Sequence, residues 1–446
     1  MSYELLHIGM DDIDSWHGGC TTYFAFEVLR DSIKRFSLKL LDYPLLTRLN
    51  PNIPWKTRGN GAVCLRVKIS SNELMDFIEF LELKLRSYTE GFYDADPVIA
   101  ILIGDLSDEL ENFYRKALTR VVTLREAIDI AQRNDVKVIA TRSRMGLIGS
   151  LASIGSLMHG DHTYELLAYR AANTKREIDH DSVWLMDFLT WPYTFNNIDP
   201  EVGRMLITPH GPDPVLFGIR GENPGILLKA LRIIKVHGKL LGYMVFRSNQ
   251  GTDCHYLKIE KIEDLQPYSS ISLKGEVACR PTTLKGGHVV FKVAVGRCEV
   301  WCVAYKPSGE VRRVAEKLEV GDMIEVYGGV RRFPGSDVLS LNLEKIVVVR
   351  TCEKTFEKNP SCPRCQKTLK SLGKRGGFKC ERCGFKTLEK RKVVHKIQRE
   401  SLEGIYLPPP RSMRHLAKPF RRYGLEKDGS YMLQEVEIKE VLYYEQ

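Results

Sequence analysis

The stretch YELLHIGMDDIDSWHGGCTT, residues 3–22, decides the architecture of the amino-terminal half of the chain. Its first eight residues are compact and mostly apolar, which predicts a buried strand. Three carboxylates, Asp11, Asp12 and Asp14, follow at the carboxyl end of that strand. Over residues 21–36 apolar side chains recur at helical spacing. A strand, an acidic loop and a helix in this order predict an α/β domain.

The crowded carboxylates favour a cation-dependent site. Like charges packed this closely are costly unless a cation or hydrogen bonds relieve them. Mg²⁺ held by one or two carboxylates and by nucleotide phosphates provides such relief. The small residues before the helix would add backbone N–H groups for a phosphate. No Walker-type lysine motif is present, so the chain is not a P-loop NTPase. On the carboxylates alone, a polar loop that caps a turn is an equal alternative.

A second loop, residues 50–61, holds two prolines and two glycines, which exclude regular structure there. Lys56 and Arg58 in this loop could reach the outer phosphates of a nucleotide, the lysine as a point charge and the arginine as a fork of donors. Gly59 and Asn60 follow directly. Taken singly, each cation would be interpreted as an ordinary surface residue.

The remaining pattern predicts two α/β regions followed by a β-domain. Helical periods at residues 73–87 and 224–236 alternate with strands at residues 62–69 and 241–247. Near residue 269 the helical periods end, and five short strands predict a small Greek-key barrel, with an OB-fold as the leading candidate. The alternative is another small β-barrel without a nucleic-acid role. These strands are expected at residues 272–279, 288–295, 298–304, 322–330 and 340–349.

The carboxyl-terminal part contains a metal motif. Two CxxC pairs, Cys362/Cys365 and Cys380/Cys383, can place four thiolates around one tetrahedral zinc ion. Four thiolates complete the coordination, which makes the zinc structural. An iron–sulfur site or redox thiols are the competing interpretations. Nearby cations would suit an RNA backbone: Lys374, Arg375, Lys379 and Arg382.

Charge is concentrated in the same part of the chain. The net charge is +10, and residues 364–422 contain 18 Lys or Arg against four Asp or Glu. This surplus favours a polyanion partner, with a solvated, disordered basic tail as the alternative. A basic helix is expected at residues 387–402, and an extended proline run at 407–411 separates a last basic patch. No apolar run is long enough for a membrane span. Of the 11 cysteines four form the two CxxC pairs and seven are scattered, which predicts a reducing, cytoplasmic location.

Five motifs together resemble the archaeal isoleucine-tRNA 2-agmatinylcytidine synthetase family, and they occur in order along nearly the whole chain. They are IGMDDIDS with the following CTT, RLNPNIPWKTRGNGA (residues 48–62), GLIGSLA (146–152), GIRGE (218–222) and KNPSCPRC (358–365). The resemblance implies an atypical α/β kinase domain that binds ATP at residues 1–140 and a ferredoxin-like, agmatine-binding domain at 141–268. It further implies an OB-fold at 269–350, a zinc ribbon at 351–400 and a basic tail at 401–446.

The resemblance also implies a reaction. The family joins agmatine to C2 of the wobble cytidine of the minor isoleucine tRNA, with the anticodon CAU, so that the tRNA decodes AUA. ATP is expected to activate the C2 oxygen as a phosphate, which agmatine displaces, and to end as AMP. By position, Thr21 matches the family's phosphorylated threonine, and Asp11, Asp12 and Asp14 match the acids that handle Mg²⁺ and ATP.

Two positions depart from the family pattern. Ile13 stands where the acidic motif usually has Thr, a loss that removes no carboxylate and leaves metal binding as expected. Met145 stands before Gly146 where a basic residue is common, which displaces Arg144 by one place.

Agmatine is a dication, so its site needs acids. Glu165, Asp187 and Glu222 are the candidates, together with Arg220 of the shared GIRGE motif. Met186, Phe188 and Trp191 could enclose the four-carbon stem, although at least two of the three are expected in the core. A non-catalytic RNA-binding adaptor and a phosphotransferase that stops at a phosphorylated nucleotide are the alternative functions. The sequence does not predict the oligomeric state.

Overall fold

The computed structural model describes residues 2–56, 59–171, 174–333, 336–373, 376–389, 391–397, 399, 401–428 and 432–445. The helices of these ranges are α1 (Thr21–Arg35), α2 (Leu74–Tyr88), α3 (Asp108–Thr119), α4 (Leu124–Arg133), α5 (Leu147–Gly155), α6 (His180–Thr190), α7 (Pro224–Ile233), α8 (Glu310–Lys317) and α9 (Ile438–Val441).

The strands fall into three groups. Those of the amino-terminal half are β1 (Tyr3–Asp11), β2 (Leu38–Leu40), β3 (Leu45–Arg48), β4 (Gly61–Ser70), β5 (Val98–Ile103), β6 (Lys137–Ala140), β7 (Thr163–Arg170), β8 (Thr194–Phe195), β9 (Ile198–Asp199), β10 (Arg204–Met205), β11 (Val215–Gly221) and β12 (Leu240–Ser248). Those of the β-domain are β13 (Leu257–Ile259), β14 (Ser270–Val277), β15 (Thr282–Thr283), β16 (Val289–Val295), β17 (Cys298–Ala304), β18 (Met323–Arg332) and β19 (Leu339–Arg350). The last are β20 (Lys354–Lys358), β21 (Lys370–Ser371), β22 (Phe378–Lys379), β23 (Lys386–Thr387), β24 (Val393–Ile397), β25 (Gly404–Tyr406) and β26 (Leu442–Tyr444).

One 11-stranded sheet runs through both α/β regions. Its order is β6-β5-β1-β4-β3-β12-β7-β11-β8, with β2 beside β4 and β26 beside β12. The two regions meet at the parallel pair of β3 and β12, and the neighbouring pairs β3–β4 and β12–β7 are antiparallel. Beside this junction Arg247 forms a fully buried ion pair with Asp42. The sheet therefore continues across the expected boundary between the kinase-like and ferredoxin-like regions.

Helices cover both faces of the first region. Leu6, Ile8 and Met10 of β1 point to one face, where α1 and α2 pack, because side chains alternate along a strand. Val98 and Ala100 of β5 point to the opposite face, under α3, α4 and α5. In the second region, α6 and α7 cover β7, β11 and β12. The predicted strand–acid–helix order of residues 3–36 is confirmed by β1 and α1.

The β-domain is a closed barrel, as the strand spacing predicts. The five expected strands are β14, β16, β17, β18 and β19, and pairing of β14 with β16 closes the ring. Helix α8 lies between β17 and β18, a feature that the alternating pattern did not reveal. The OB-fold prediction is confirmed, while its nucleic-acid role rests on other observations.

The carboxyl-terminal part differs from its prediction in one respect. The basic helix expected at residues 387–402 is wrong, because Val393–Ile397 is a strand that pairs with β20. β-branched Val393 and Val394 favour the strand over the helix. Residues 407–428, which we call the C-terminal strap, lie against both the large sheet and the barrel rather than in solvent. In the described ranges, no helix is both long enough and apolar enough to span a bilayer.

Candidate functional site

The acidic loop sits where β1 ends. Asp11 is the last residue of β1, and Asp12 takes a left-handed backbone conformation, with φ of 57°. Such a conformation is uncommon for a non-glycine residue and is often found at functional sites. The amide N–H of Asp96 donates to Asp12 Oδ2 at 3.3 Å, which helps to hold this turn. Ile13 points into the core and is fully buried, so an apolar residue suits the position.

The GLIGSLA motif makes room for this loop. Gly149 of α5 packs so closely on the Asp11 carboxyl that a Cβ atom there would overlap it. A Cβ atom at Gly146 would lie 3.1 Å from Asp12 Cβ and closer still to the Asp11 carbonyl oxygen. Glycine is therefore required at both positions by the close approach of α5 to the acidic loop. Arg144 is exposed, whereas Met145 lines a cavity beside the loop.

The carboxylates of the loop are electrostatically strained. Enclosure by protein and the nearby Asp12 raise the pKa of Asp11 well above its ordinary value. Enclosure, with contributions from Asp96, Asp14 and Asp94, raises the pKa of Asp12 to about 6. Sequence analysis missed the negative charges of Asp94 and Asp96 beside this loop, because the two residues lie more than 80 positions beyond Asp12 in a segment without a motif. A cation at this loop would relieve the repulsion.

Two cavities flank the acidic loop. Cavity A has a volume of about 160 Å³ and cavity B about 350 Å³. Cavity A is lined by Asp11, Asp12, Leu49, Ile53, Trp55, Lys56, Asn60, Ala117, Arg120, Val121, Val122, Met145, Gly146, Ile148 and Gly149. Among the lining residues of cavity B are Asp14, Cys20, Thr21, Arg48, Gly59, Glu165, His210, Asp213, Arg220 and His415. The loop thus presents Asp11 and Asp12 to one cavity and Asp14 to the other.

Thr21 begins α1 and faces cavity B. Its hydroxyl lies 3.3 Å from Asp14 Oδ2, to which it donates, and accepts from the Ile13 N–H at 3.3 Å. Asp14 is therefore in hydrogen-bond contact with the hydroxyl that sequence analysis selected. The structure places Thr21, at the start of α1, beside the loop that carries Asp12 and Asp14.

The loop of residues 50–61 contributes to both cavities. Lys56 and Asn60 line cavity A, and Gly59 lines cavity B. Enclosure, together with Arg414, Arg48 and Arg331, lowers the pKa of Lys56, which indicates a surplus of positive charge. Arg58 lies outside the described residues. A surplus of cations next to an acidic loop suits a ligand with phosphates.

The four expected substrate residues separate into two pairs. Glu165 and Arg220 line cavity B, where Arg220 Nε donates to Glu165 Oε1 at 3.1 Å. The other oxygen of this carboxylate, Oε2, lies 3.7 Å from Arg48 Nη2. Asp187 and Glu222 line neither cavity. Both carboxylates instead form ion pairs with arginines of the C-terminal strap. Arg421 binds Asp187 at 2.7 Å, and Arg422 binds Glu222 at 2.6 Å. Arg421 and Arg422 lie far along the chain from these acids, so the spacing of residues in the sequence could not reveal the two ion pairs.

The apolar candidates also lie apart from cavity B. Met186 is buried, but Phe188 is 77% exposed and Trp191 is 62% exposed. The expectation that at least two of the three belong to the core is wrong. The structure adds Arg48, Asp213 and His415 to the cavity instead. Only Arg48 lies in a motif that sequence analysis had singled out.

The four cysteines of the ribbon form a metal-competent cluster. The Sγ atoms of Cys362, Cys365, Cys380 and Cys383 all lie within 4.8 Å of one another, and this is the only such cluster of His, Cys, Asp or Glu in the described ranges. Two of the Sγ–Sγ distances are 3.4 and 3.5 Å, compatible with tetrahedral zinc–sulfur coordination. The Cys383 N–H and further backbone amides lower the pKa of the Cys380 thiol. The donor set fits zinc.

The cations expected beside the ribbon cysteines are accounted for in part. Lys379 and Arg382 are exposed, so both can reach a partner in solution. Lys374 and Arg375 lie outside the described residues. Exposed cations next to the thiol cluster suit the phosphates of an RNA backbone.

These features define a multidomain enzyme class in which an α/β body carries paired cavities and is joined to an OB-fold and a zinc ribbon. Family models match the chain in four places: a TiaS TCKD domain at residues 7–78, a TiaS FLD domain at 144–255, an OB-fold nucleic acid binding domain at 271–349 and a TiaS C-terminal zinc ribbon domain at 359–400.

Full-length relatives agree with the family models. The 2-agmatinylcytidine synthetase TiaS of Staphylothermus marinus, named for the second isoleucine tRNA, is 38% identical over 100% of this chain and 99% of its own length. The protein of the same name from Pyrococcus horikoshii is 39% identical over 93% and 96%. The chain therefore belongs to the TiaS family of tRNA 2-agmatinylcytidine synthetases.

Solved structures of the family are also similar. A complex of TiaS with the second isoleucine tRNA and ATP aligns with a TM-score of 0.82 and 33% identity, covering 97% of this chain and 100% of that one. A complex of TiaS with the same tRNA, AMPCPP and agmatine aligns with a TM-score of 0.80 and 31% identity over the same shares. Both complexes contain an adenine nucleotide and a tRNA, and the second contains agmatine.

Proposed function

We propose that this chain uses ATP to join agmatine to C2 of the wobble cytidine of the minor isoleucine tRNA, so that the CAU anticodon decodes AUA. The observation that carries the proposal is the acidic loop between two cavities, with Asp11 and Asp12 on one side and Asp14 on the other. A nucleotide in cavity A and a base in cavity B would meet at this loop. A complex of a relative contains a nucleotide analogue, a tRNA and agmatine together.

We further propose that the body combines an atypical kinase-like domain, residues 1–140, with a ferredoxin-like domain, residues 141–268. Residues 269–350, 351–400 and 401–446 would be the OB-fold, the ribbon and the C-terminal segment. Support comes from the helices on both faces of β1, β4 and β5, and from the helix pair α6 and α7 over the antiparallel strands β7, β11 and β12. A cytoplasmic location fits this substrate.

On the nucleotide side, Asp11 and Asp12 would hold Mg²⁺ bound to the phosphates of ATP. Mg²⁺ neutralises phosphate charge and aligns the oxygens for transfer when it is bound. Lys56 and Asn60, which line cavity A, would contact the nucleotide, and Arg58 is proposed from its sequence position alone. The raised pKa of Asp12 supports this role, because a carboxylate that repels its neighbours gains most from a cation.

On the acceptor side, Thr21 would receive a phosphoryl group during the ATP reaction. Its hydroxyl already donates to Asp14, which could accept the proton as the oxygen attacks. The cytidine C2 oxygen would then be phosphorylated, which makes it a good leaving group. Displacement by the primary amine of agmatine would form agmatidine and release the phosphate from C2. Hydrolysis would release the phosphoryl group held on Thr21, so that ATP ends as AMP with both outer phosphates released.

The agmatine guanidinium would bind to acids of cavity B. Glu165 lines the cavity, and Asp213, which accepts from Arg176 at 3.1 Å, lines it as well. Arg220 would orient Glu165 through their hydrogen bond. Asp187 and Glu222 are paired with strap arginines, so we assign them to holding the strap.

The test is mass spectrometry of nucleosides from the isoleucine tRNA after incubation with ATP and agmatine. Wild-type protein should produce agmatidine and AMP in equal amounts. Thr21→Ala should abolish the product, whereas Thr21→Ser, which keeps a hydroxyl, should retain part of the rate. RNA binding without ATP turnover would instead identify an adaptor, and a phosphorylated nucleoside that persists with agmatine would identify a phosphotransferase.

A further inference from the structure

His415 of the C-terminal strap projects into cavity B. The strap is fixed at His415 and at the next residue: the Gly251 N–H donates to the His415 carbonyl oxygen at 2.8 Å, and the Asp253 N–H donates to that of Leu416 at 2.9 Å. Leu416 is buried in the core under α3 and α5. A side chain held by two backbone bonds and a buried neighbour has a defined position. The proposed function uses no residue of this strap.

The other titratable groups of the cavity are already engaged. Asp14 accepts from Thr21, and Asp213 accepts from Arg176. Glu165 is paired with Arg220, and His210 with Arg204 at 2.6 Å. Burial raises the pKa of the Cys20 thiol to about 12, so that it stays protonated. Among the described residues, no hydrogen bond reaches the His415 ring.

The surroundings keep the His415 ring neutral. The His415 side chain keeps exposed surface. Protein atoms around the ring lower its pKa well below the ordinary value, and nearby cations lower it further. These cations are Arg48 of β3, Lys56 of the following loop, Arg220 of β11 and Arg414 of the strap. The carboxylates that line the same cavity, Asp14, Glu165 and Asp213, are engaged as described above. A neutral imidazole has a free lone pair on one nitrogen and can accept a proton.

We propose that His415 is the group that accepts the proton from the attacking amine of agmatine, an inference that rests on the proposed function. Agmatine first loses its ammonium proton to solvent, and the neutral amine nitrogen then forms a bond to C2 while the bond between C2 and the phosphorylated oxygen breaks. Phosphate leaves with that electron pair. The nitrogen gives one proton to a ring nitrogen of His415, which passes it to the departing phosphate.

The cations around His415 make this role depend on the activated substrate. They weaken the ring as a base in the free protein. A phosphorylated cytidine brings negative charge to Arg48 and Arg220, and this charge raises the basicity of the ring when the amine is due to react. The proton acceptor is thus matched to the joining step rather than to the ATP step.

The experiment compares His415→Gln, His415→Ala and wild type, with His180→Gln as the matched control on the exposed start of α6. Each reaction contains full-length protein, isoleucine tRNA, ATP and agmatine. AMP and agmatidine are measured from the same sample, and tRNA affinity is measured separately. For His415→Gln we expect joining to fall by roughly 10²–10⁴-fold, with tRNA affinity within about twofold and AMP in excess of agmatidine. The control should match wild type.

Added imidazole separates a proton-accepting role from a structural one. In His415→Ala it should restore joining by about tenfold or more, with a pH profile that follows the pKa of imidazole. Wild-type joining in His415→Gln would overturn the proposal. So would a parallel loss of joining and tRNA affinity with a lowered Tm and no response to imidazole. Wild-type protein that makes no agmatidine would instead contradict the proposed function itself.

Discussion

Asp12 shows how a single residue combines instability with function. Its backbone is left-handed, it stands among Asp11, Asp14 and Asp96, and Oδ1 is buried without a hydrogen-bond partner in the described part of the chain. Each feature costs folding free energy, and a cation would relieve the charge repulsion and provide a partner for Oδ1. Asp12 is therefore expected to lower the free energy of unfolding of the metal-free protein and to favour binding of a cation.

Asp12→Asn should abolish agmatidine formation and make the metal-free protein more stable. Removing the negative charge relieves repulsion, and Asn tolerates a left-handed backbone, so the free energy of unfolding should rise by about 1–2 kcal/mol. Denaturation in the presence of a chelator and product analysis measure the two effects. Asp135→Asn is the control, because Asp135 is also left-handed, with φ of 50°, but lines neither cavity. Full activity in Asp12→Asn would contradict the metal assignment.

Nucleotide uptake should depend on pH through the same residue. The folded pKa of Asp12, about 6, lies above its ordinary value of 3.8, so the carboxyl binds a proton as pH falls through about 6. Affinity for Mg²⁺–ATP should be constant above this pH and fall about tenfold per unit below it. The free energy of unfolding of the nucleotide-free protein should instead rise as pH falls from about 6 to about 4, because the folded protein takes up a proton at Asp12 before the unfolded chain does. Calorimetric titration across this range tests this, and a flat profile would contradict it.

At the scale of elements, the parallel contact of β3 with β12 joins the two regions, and one hydrophobic core contains Leu6 of the first region together with Met244 and Phe246 of the second. The buried pair of Asp42 and Arg247 lies beside it, and Arg247 also donates to the carbonyl oxygens of Leu157 and Met158. A buried charge that loses its partner is far more costly than a surface charge that does so.

Asp42→Ala should lower the free energy of unfolding by about 3–5 kcal/mol, because it removes the carboxylate that pairs with the buried Arg247 guanidinium. Glu82→Ala breaks the exposed pair with Arg86 on α2 and should cost less than about 1 kcal/mol. Urea denaturation of the two variants compares them directly. Equal losses would show that burial does not govern the Asp42 pair.

The ribbon is a second element with its own stability. Cys380→Ser should remove zinc, unfold residues 359–400 and weaken tRNA binding, because metal ligation supplies the folding free energy of such small modules. Cys298→Ser is the matched control, because Cys298 lies on β17 outside the thiol cluster. Zinc content and tRNA affinity are the measurements. Unchanged affinity in zinc-free protein would show that the ribbon is dispensable for RNA binding.

At the scale of the molecule, the basic charge divides into two parts. Arginines of the C-terminal strap form ion pairs within the protein: Arg421 and Arg422 bind acids of the α/β regions, and Arg411 binds Asp199 and Glu201. The ribbon instead displays exposed cations such as Lys379. The net charge of the sequence counts the cations of the strap and of the ribbon alike, although only cations that are exposed and unpaired can displace counterions from RNA.

Salt dependence of tRNA binding should distinguish the two parts. Lys379→Gln should reduce the slope of log affinity against log salt by about one, because one phosphate contact is lost. Arg421→Gln should leave the slope unchanged, although it should lower stability by removing the ion pair of the buried Asp187 carboxylate. Filter binding between about 50 and 300 mM salt, well below the unfolding temperature, gives both slopes. A reduced slope in Arg421→Gln would place the strap at the RNA.

The sequence alone determined the features that depend on local pattern. Strand β1, the acidic loop and α1, the five barrel strands and the four thiolates follow from alternation, helical period and ligand spacing, which short stretches of chain carry in full. The tertiary structure decided which distant charges meet. Arg422 neutralises Glu222 from 200 positions away, because a buried charge needs a partner whatever the separation along the chain. His415 reaches a cavity built by β3, β7 and β11 because the packing of the C-terminal strap, and no local pattern, places it there.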